Sequence, residues 1–148
     1  MPKLYRPNVA AIFVKDGKVL LVHKSVQKKR SWQFPQGGVH EGETAEQALR
    51  REVLEELGIS DFKILYRARY EHQYDWPKSF LKQREFVKSS YIGQRQTFFV
   101  CESSQPVVLG EELEKFQWVP REKLLQIVRI PNLRKCIRAL RAEKQGIF

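Results

Sequence analysis

Glu52, Glu55 and Glu56 occupy positions i, i+3 and i+4 of one segment, so in a helix their carboxylates share a face. Like charges at that spacing work against an isolated helix by ~0.2–0.5 kcal/mol per pair, and no lysine interleaves with them. They belong to an acidic island. From Glu41 to Glu56 six glutamates face only Arg50 and Arg51, in a chain whose formal net charge is +10. A solvated helix face is the ordinary fate of a glutamate cluster, but generic acidity does not explain such an island in a basic protein. Hard oxygen donors fixed on one face suit Mg²⁺ or Mn²⁺, with the remaining coordination positions left to water and substrate phosphate. Upstream, Gly37-Gly38 offers bare backbone that a ligand can approach closely.

The elements that must position these carboxylates are legible. Thr44-Ala45-Glu46-Gln47 fits a capping box, with a hydroxyl at the N-cap and an amide three residues on. Ala45, Ala48, Leu49, Val53 and Leu57 recur at helical spacing and Gly58 supplies a stop, so the pattern predicts a helix over Ala45–Leu57. Asn8–Val14 and Lys18–His23 read as strands joined by the hairpin signal Asp16-Gly17. Lys28-Lys29-Arg30 reads as a basic loop and Trp32-Gln33-Phe34 as a short strand broken by Pro35-Gln36-Gly37-Gly38. Phe62–Tyr70 reads as a strand, and Glu71–Ser89, polar, aromatic and containing Pro77, as a long functional loop. A strand pattern opens at Tyr91-Ile92 and continues through Gln96–Glu102, and Glu111–Lys115 reads as an acidic turn or short helix before the strand Phe116–Val119. A short helix from Pro120 to about Val128 follows, then a last helix with Leu133, Ile137 and Leu140 on one face. The whole predicts one α/β domain over residues 1–148.

From Gly37 the sequence reads Gly, five residues, Glu43, seven residues, then Arg51-Glu52-Val53-Leu54-Glu55-Glu56-Leu57-Gly58-Ile59. This 23-residue stretch resembles a complete Nudix box. The resemblance implies an α/β/α sandwich with a mixed central sheet, dependence on a divalent metal, and hydrolysis of a nucleoside diphosphate linked to another moiety. Tyr5-Arg6-Pro7-Asn8-Val9, Trp32-Gln33-Phe34-Pro35-Gln36-Gly37-Gly38, Glu43-x-Ala45-Glu46-Gln47-Ala48 and Tyr91-Ile92-Gly93-Gln94-Arg95-Gln96 are further similar to the bacterial RNA pyrophosphohydrolases. That group overlaps with the dinucleoside polyphosphate (Ap4A-type) hydrolases. The likeness covers residues 5–120 and fades beyond Val128.

By this resemblance Glu52, Glu55 and Glu56 hold Mg²⁺ or Mn²⁺ with help from the carbonyl of Gly37, and Arg51 fixes the carboxylates by pairing with Glu43. Glu52, Glu55, Arg51 and Glu112 form the catalytic set, and the choice of general base among the helix glutamates stays open. Glu112 matches a further acidic ligand or base of the subfamily; Glu111 is its neighbour in register, and a solvated turn with Glu111 and Glu114 is the alternative. Arg6, Ser31 and Gln33 match positions near the phosphate entrance, and Tyr74 with Lys78 resembles an aromatic-plus-lysine pair that contacts phosphates or a base. Trp32, Trp76 and Trp118 read as packing residues, with Trp76 the stacking candidate among them. His23, His40 and His72 have no metal-ligand spacing.

Composition bounds the rest. The 27 Lys and Arg against 17 Asp and Glu favour polyanionic partners, nucleic acid or phosphorylated metabolites. The surplus is strongest from Arg121 to Phe148, where eight basic residues face Glu122 and Glu143. No stretch reaches the ~20 apolar residues of a membrane-spanning helix, and Met1–Pro7 lacks the apolar core of a secretory signal. Two cysteines, Cys101 and Cys136, read as reduced core residues, and cytoplasm is the expected compartment. The substrates expected are nucleoside 5′-polyphosphates, 5′-triphosphorylated RNA or dinucleoside polyphosphates, with no membrane and no obligate protein partner. A housekeeping hydrolase of small nucleotides and a non-catalytic nucleotide- or RNA-binding module are the competing readings; the second is disfavoured because no box glutamate is lost.

Overall fold

A computed structural model describes residues 4–24, 31–79, 81 and 90–148. The first two strands, β1 (Tyr5–Lys15) and β2 (Lys18–Lys24), form the expected hairpin. Asp16 and Gly17 both take positive φ, +51° and +73°, the two-residue turn whose twist matches its strands. Then come β3 (Gln36–Gly38), α1 (Ala45–Leu57), β4 (Lys63–Asp75), β5 (Gly93–Glu102) and β6 (Leu113–Pro120). A 3₁₀ turn at Arg121–Lys123 leads into α2 (Leu124–Ile127), and α3 (Pro131–Glu143) follows.

The sheet runs β4-β5-β1-β2-β6, with β3 added to β1. β1 pairs parallel to β5 and antiparallel to its other neighbours, so the sheet is mixed. Both faces of β1 and β2 are buried, and successive residues serve opposite layers. Val9, Ala11, Phe13, Leu20 and Val22 pack with Leu49, Val53 and Leu57 of α1. Ala10, Ile12, Val19 and Leu21 pack with Leu124, Val128, Ile137 and Leu140 on the other side. This is the α/β/α sandwich that the sequence resemblance implied. Cys101 and Cys136 are buried free thiols, as expected, and among the described residues no helix is long and apolar enough to cross a membrane.

Four expectations are corrected. Gln36-Gly37-Gly38 does not break a strand: it is β3, in register with Ala10, Val9 and Asn8, while Gln33 makes only an isolated bridge to Val22. Glu71–Asp75 is not loop, because β4 continues to Asp75 against Gly93–Thr97 of β5. Tyr91 and Ile92 precede β5 rather than open it, and Leu113–Lys115 already belongs to β6, paired with β2. The basic loop Lys28–Arg30 and residues 82–89 lie outside the described residues.

β4 can run so far because it carries a bulge between Arg67 and Glu71, opposite Phe99 and Thr97. Bulged residues lose ladder partners, and here Glu143 replaces them. Its carboxylate accepts from the Arg69 N–H at 2.8 Å, the Tyr70 N–H at 2.7 Å and the Tyr66 hydroxyl. Burial alone would raise the Glu143 pKa, but these three donors outweigh it and hold the carboxyl below its usual range. Glu143→Ala is therefore expected to lower the melting temperature by several degrees at pH 7, for a loss of about 1–2 kcal/mol. Because the folded pKa is depressed, the stabilisation is present above the ordinary carboxylate pKa and vanishes on acidification; melts of both proteins at pH 7 and pH 3 check that the gap closes.

Candidate active site

α1 is locked at both ends. The Thr44 hydroxyl accepts from the Gln47 N–H at 3.1 Å while the Gln47 side chain accepts from the Thr44 N–H at 2.9 Å, and Gly58 closes the helix in the left-handed region at φ +66°. With those ends set, Leu49, Val53 and Leu57 are buried with Glu56 among them, and on the adjoining face Glu52 reaches Gly37 of β3 while Glu55 stands exposed.

Arg51 organises that face. Its guanidinium donates through Nε and Nη2 to the two carboxylate oxygens of Glu43, both at 2.9 Å. It donates to Glu52 Oε1 at 2.8 Å and to the Gly38 carbonyl at 2.8 Å, and lies 3.6 Å from Glu55. Glu43 also accepts from the His40 N–H at 2.9 Å. Arg51, then that backbone bond, hold the Glu43 carboxyl down at about 2, and the Arg51 pKa is raised in turn by Glu43 and Glu52. Glu43 is thus a loop brace.

The Glu52 carboxylate lies against Gly37, where an added Cβ would overlap its carboxyl group. Next door the Arg6 guanidinium covers Gly38 in the same way. Two successive glycines in β3 therefore allow a carboxylate to lie on one face of the strand and a guanidinium on the other. Gln36 is fixed from the other direction: Gln96 Nε2 donates to Asn8 Oδ1 and Asn8 Nδ2 to Gln36 Oε1, each at 2.7 Å.

Glu56 is only 3% exposed. Burial pushes its pKa up to about 7, and Glu52 and Glu112 push the same way, against Lys24 and a hydrogen bond from the Gln36 N–H. Its Oε2 is buried with no hydrogen-bond partner. A buried oxygen left in that state costs about 1–3 kcal/mol, and a cation is a partner that would satisfy it.

The segment before β6 delivers Glu112. The Val108 N–H donates to the Leu57 carbonyl at 2.8 Å and the Gly110 N–H to the Glu56 carbonyl at 3.0 Å. Gly110 passes so close to the Glu55 carbonyl that a Cβ would overlap it. Glu112 therefore acts electrostatically on Glu56, whereas Glu114 stands 3.4 Å from His23 Nδ1, a buried imidazole edge-on to Trp32. Among the described residues no three carboxylate, imidazole or thiol side chains already close on one point. What fits a divalent cation is the chemistry of the donor set: Glu52 against bare backbone and Glu56 with a partnerless buried oxygen.

The remaining expected residues separate. Gln33 and Tyr74 line a cavity of about 280 Å³ between the sheet and α3, together with Gln36, His72, Gln96 and Asn132. Tyr74 is half-buried on β4 rather than on a loop; its ring stacks on His72 and its hydroxyl accepts from Gln94 Nε2 at 3.0 Å. Gln33 Nε2 and His72 Nε2 are buried without hydrogen-bond partners. Ser31 is half-buried on the approach to Gln33, while Lys78 is exposed past the end of β4. Trp76 is half-buried beside β4, its N–H donating to the Ile92 carbonyl at 2.9 Å. Sequence reasoning missed Lys24, His72 and Asn132. Strand alternation places Lys24 on the α1 side with Leu20 and Val22, so that signal was available; His72 and Asn132 meet only through the fold.

Glu56 sets a testable pH dependence for the metal-free protein. A carboxyl raised to about 7 in the folded state and ordinary in the unfolded one makes the fold bind the extra proton. Stability is then fullest below the ordinary carboxylate pKa and declines as pH rises towards 7. Glu56→Gln removes that decline, so in a metal chelator its melting temperature is expected to exceed that of the parent by several degrees at pH 8 and by little at pH 4.5. Parallel shifts at both values would refute the assignment.

The NUDIX domain profile matches residues 4–140. The chain is 39% identical to the RNA pyrophosphohydrolase of Baumannia cicadellinicola subsp. Homalodisca coagulata over 125 residues, covering 78% of this chain and 76% of that one. It is 45% identical to the RNA pyrophosphohydrolase of Sodalis glossinidius over 101 residues, 66% of this chain and 55% of the relative; with several such relatives the match spans about half their length. Among solved structures, a MutT protein from Methanosarcina mazei Go1 superposes with a TM-score of 0.73 at 22% identity over 99% of both chains. A C. elegans Ap4A hydrolase binary complex gives 0.69 at 18% identity, covering 93% of this chain and 96% of that one; both show the fold. Profile, relatives and architecture agree that this chain belongs to the NUDIX domain family.

Proposed function

We propose that this protein is a Nudix pyrophosphohydrolase that cleaves a phosphoanhydride bond of nucleoside 5′-polyphosphates with Mg²⁺ or Mn²⁺, and that its substrate is the 5′-triphosphate end of RNA. The observation that carries the reading is the partnerless buried oxygen of Glu56, one helical turn from Glu52, whose carboxylate lies on Gly37, in a sequence that keeps every expected glutamate. The similarity to proteins named RNA pyrophosphohydrolase and the charge of +10 favour RNA over dinucleoside polyphosphates, which present the same reacting unit. One domain over residues 1–148, working in the cytoplasm, would carry the reaction.

Glu52, Glu55 and Glu56, with the Gly37 carbonyl and Glu112, would hold the cation. A divalent ion there supplies charge neutralisation for polyphosphate oxygens and a lowered pKa for water. Arg51 keeps the carboxylates in place through its fork to Glu43. Arg6, over Gly38, Ser31 and Lys78 would screen phosphate charge, and the cavity lined by Gln33 and Tyr74 would take the nucleoside. A carboxylate among Glu52, Glu55 and Glu112 accepts the proton of the attacking water. Removing any one is expected to act on turnover more than on binding.

Two measurements check this. Glu52→Gln and Glu55→Gln are each expected to lower kcat by orders of magnitude on a 5′-triphosphorylated oligonucleotide, with pyrophosphate or phosphate identified as product and the fold retained by circular dichroism. Unchanged turnover in both would overturn the site. Glu112→Gln should lower kcat far more than it raises KM, while Glu111→Gln and Glu114→Gln do little; equal minor effects would return Glu112 to a solvated turn.

A further inference from the structure

The basic surplus from Arg121 onward comprises eight side chains, of which Lys123 stands exposed in the 3₁₀ turn before α2. Four of its members serve the fold: Arg121 donates to the Phe148 carbonyl at 3.2 Å, Arg134 to the Val128 carbonyl at 3.0 Å, Arg141 to the Arg121 carbonyl at 2.6 Å, and the Lys144 ammonium lies 4.4 Å from the Tyr66 ring centroid. Arg129, Lys135 and Arg138 stand exposed. Cys136, Ile137 and Leu140 face the core, so Lys135 and Arg138, three residues apart, share the outer side of α3, and Arg129 precedes the helix. Solvated helix faces usually mix signs, yet this one has no acid. The one carboxylate of α3, Glu143, is turned onto the backbone of β4. The ridge also starts at a defined place. Asn132, Leu133 and Cys136 of α3 line the cavity, and Lys135 adds positive charge felt by His72, which lines it too. The same cavity is lined by Gln36, the first residue of the strand that carries Gly37.

We propose that Arg129, Lys135 and Arg138 form a docking ridge for the body of single-stranded RNA, which leaves the carboxylate site across the cavity and follows the outer face of α3. The proposal rests on the hydrolase reading for the direction of the strand, but the ridge itself needs no turnover. Phosphates beyond the 5′ end meet uncompensated positive charge there, and each one neutralised adds a salt-dependent gain in affinity. A mononucleotide has no phosphates beyond its own 5′ polyphosphate to place on the ridge.

The test uses the full chain and the triple variant Arg129→Gln/Lys135→Gln/Arg138→Gln. The control Lys15→Gln/Lys18→Gln/Lys63→Gln removes the same charge at the β1–β2 hairpin end and from the start of β4. Fluorescence anisotropy with a 5′-monophosphorylated hexanucleotide is expected to show about tenfold weaker binding for the ridge variant at low salt. Its slope of log K against log salt should be smaller by up to ~2, and the control should bind like the parent. In kinetics, kcat/KM should fall on a triphosphorylated hexanucleotide and stay unchanged on a triphosphorylated mononucleotide. Equal loss in ridge and control variants would reduce the ridge to net charge and overturn the proposal, as would full retention of the hexanucleotide by the ridge variant. Loss of RNA affinity in a protein that turns over no substrate would uphold the ridge while the hydrolase reading fell.

Discussion

The bidentate pairing of Arg51 with Glu43 is the interaction on which the rest of the site depends. One guanidinium reaches Glu43, Glu52 and the Gly38 carbonyl, tying a loop, a helix and a strand at a single planar group. Its fork geometry suits that task in a way an ammonium would not. Without it, a helix face of three glutamates would repel both itself and the acidic loop before it. Two carboxylates of the same stretch are driven apart for separate reasons: Glu43 is held at about 2 by its ion pair with Arg51, and Glu56 is raised to about 7 by burial. The first is committed to structure, and the second is left with an oxygen that no protein group satisfies.

Close packing of backbone makes this arrangement possible. Glu52 lies on Gly37 and Arg6 on Gly38, and Gly110 runs against the last carbonyls of α1. Any side chain at Gly37 would displace the Glu52 carboxylate, and one at Gly110 would push Glu112 away from the helix end. The glycines are thus positional requirements of the site rather than loop formers, which is why two of them sit in a strand.

Much of this was legible in the sequence, for identifiable physical reasons. The α1 helix was readable to the residue because a capping box, a 3.6-residue apolar period and a left-handed glycine stop coincide within Thr44–Gly58. The hairpin followed from Asp16-Gly17 alone. What stayed hidden was non-local. Nothing local marks Gln36–Gly38 as a strand, since glycine has little strand preference and the pairing is supplied by β1. The run Glu71–Asp75 is polar because its outer side faces solvent, and its continuation as β4 depends on a bulge held by Glu143, some seventy residues away. The distinction between Glu112 and Glu114 likewise needed the fold, which sets Glu114 beside His23 and leaves Glu112 close enough for its charge to act on Glu56. The carboxylate set was visible as a pattern; its division into brace, buried acid and candidate base was not.

If Glu43 and Arg51 act as one unit that holds the helix carboxylates, their contributions to turnover are coupled. A double-mutant cycle on Glu43→Gln and Arg51→Lys, read as kcat on a 5′-triphosphorylated oligonucleotide at saturating Mg²⁺, addresses it directly. Each single change should lower kcat by tenfold or more, and the double variant should be no worse than Arg51→Lys alone, because the second change removes a partner already lost. Multiplicative losses in the double variant, or near-parent turnover in either single one, would show that Glu43 and Arg51 do not act as one unit.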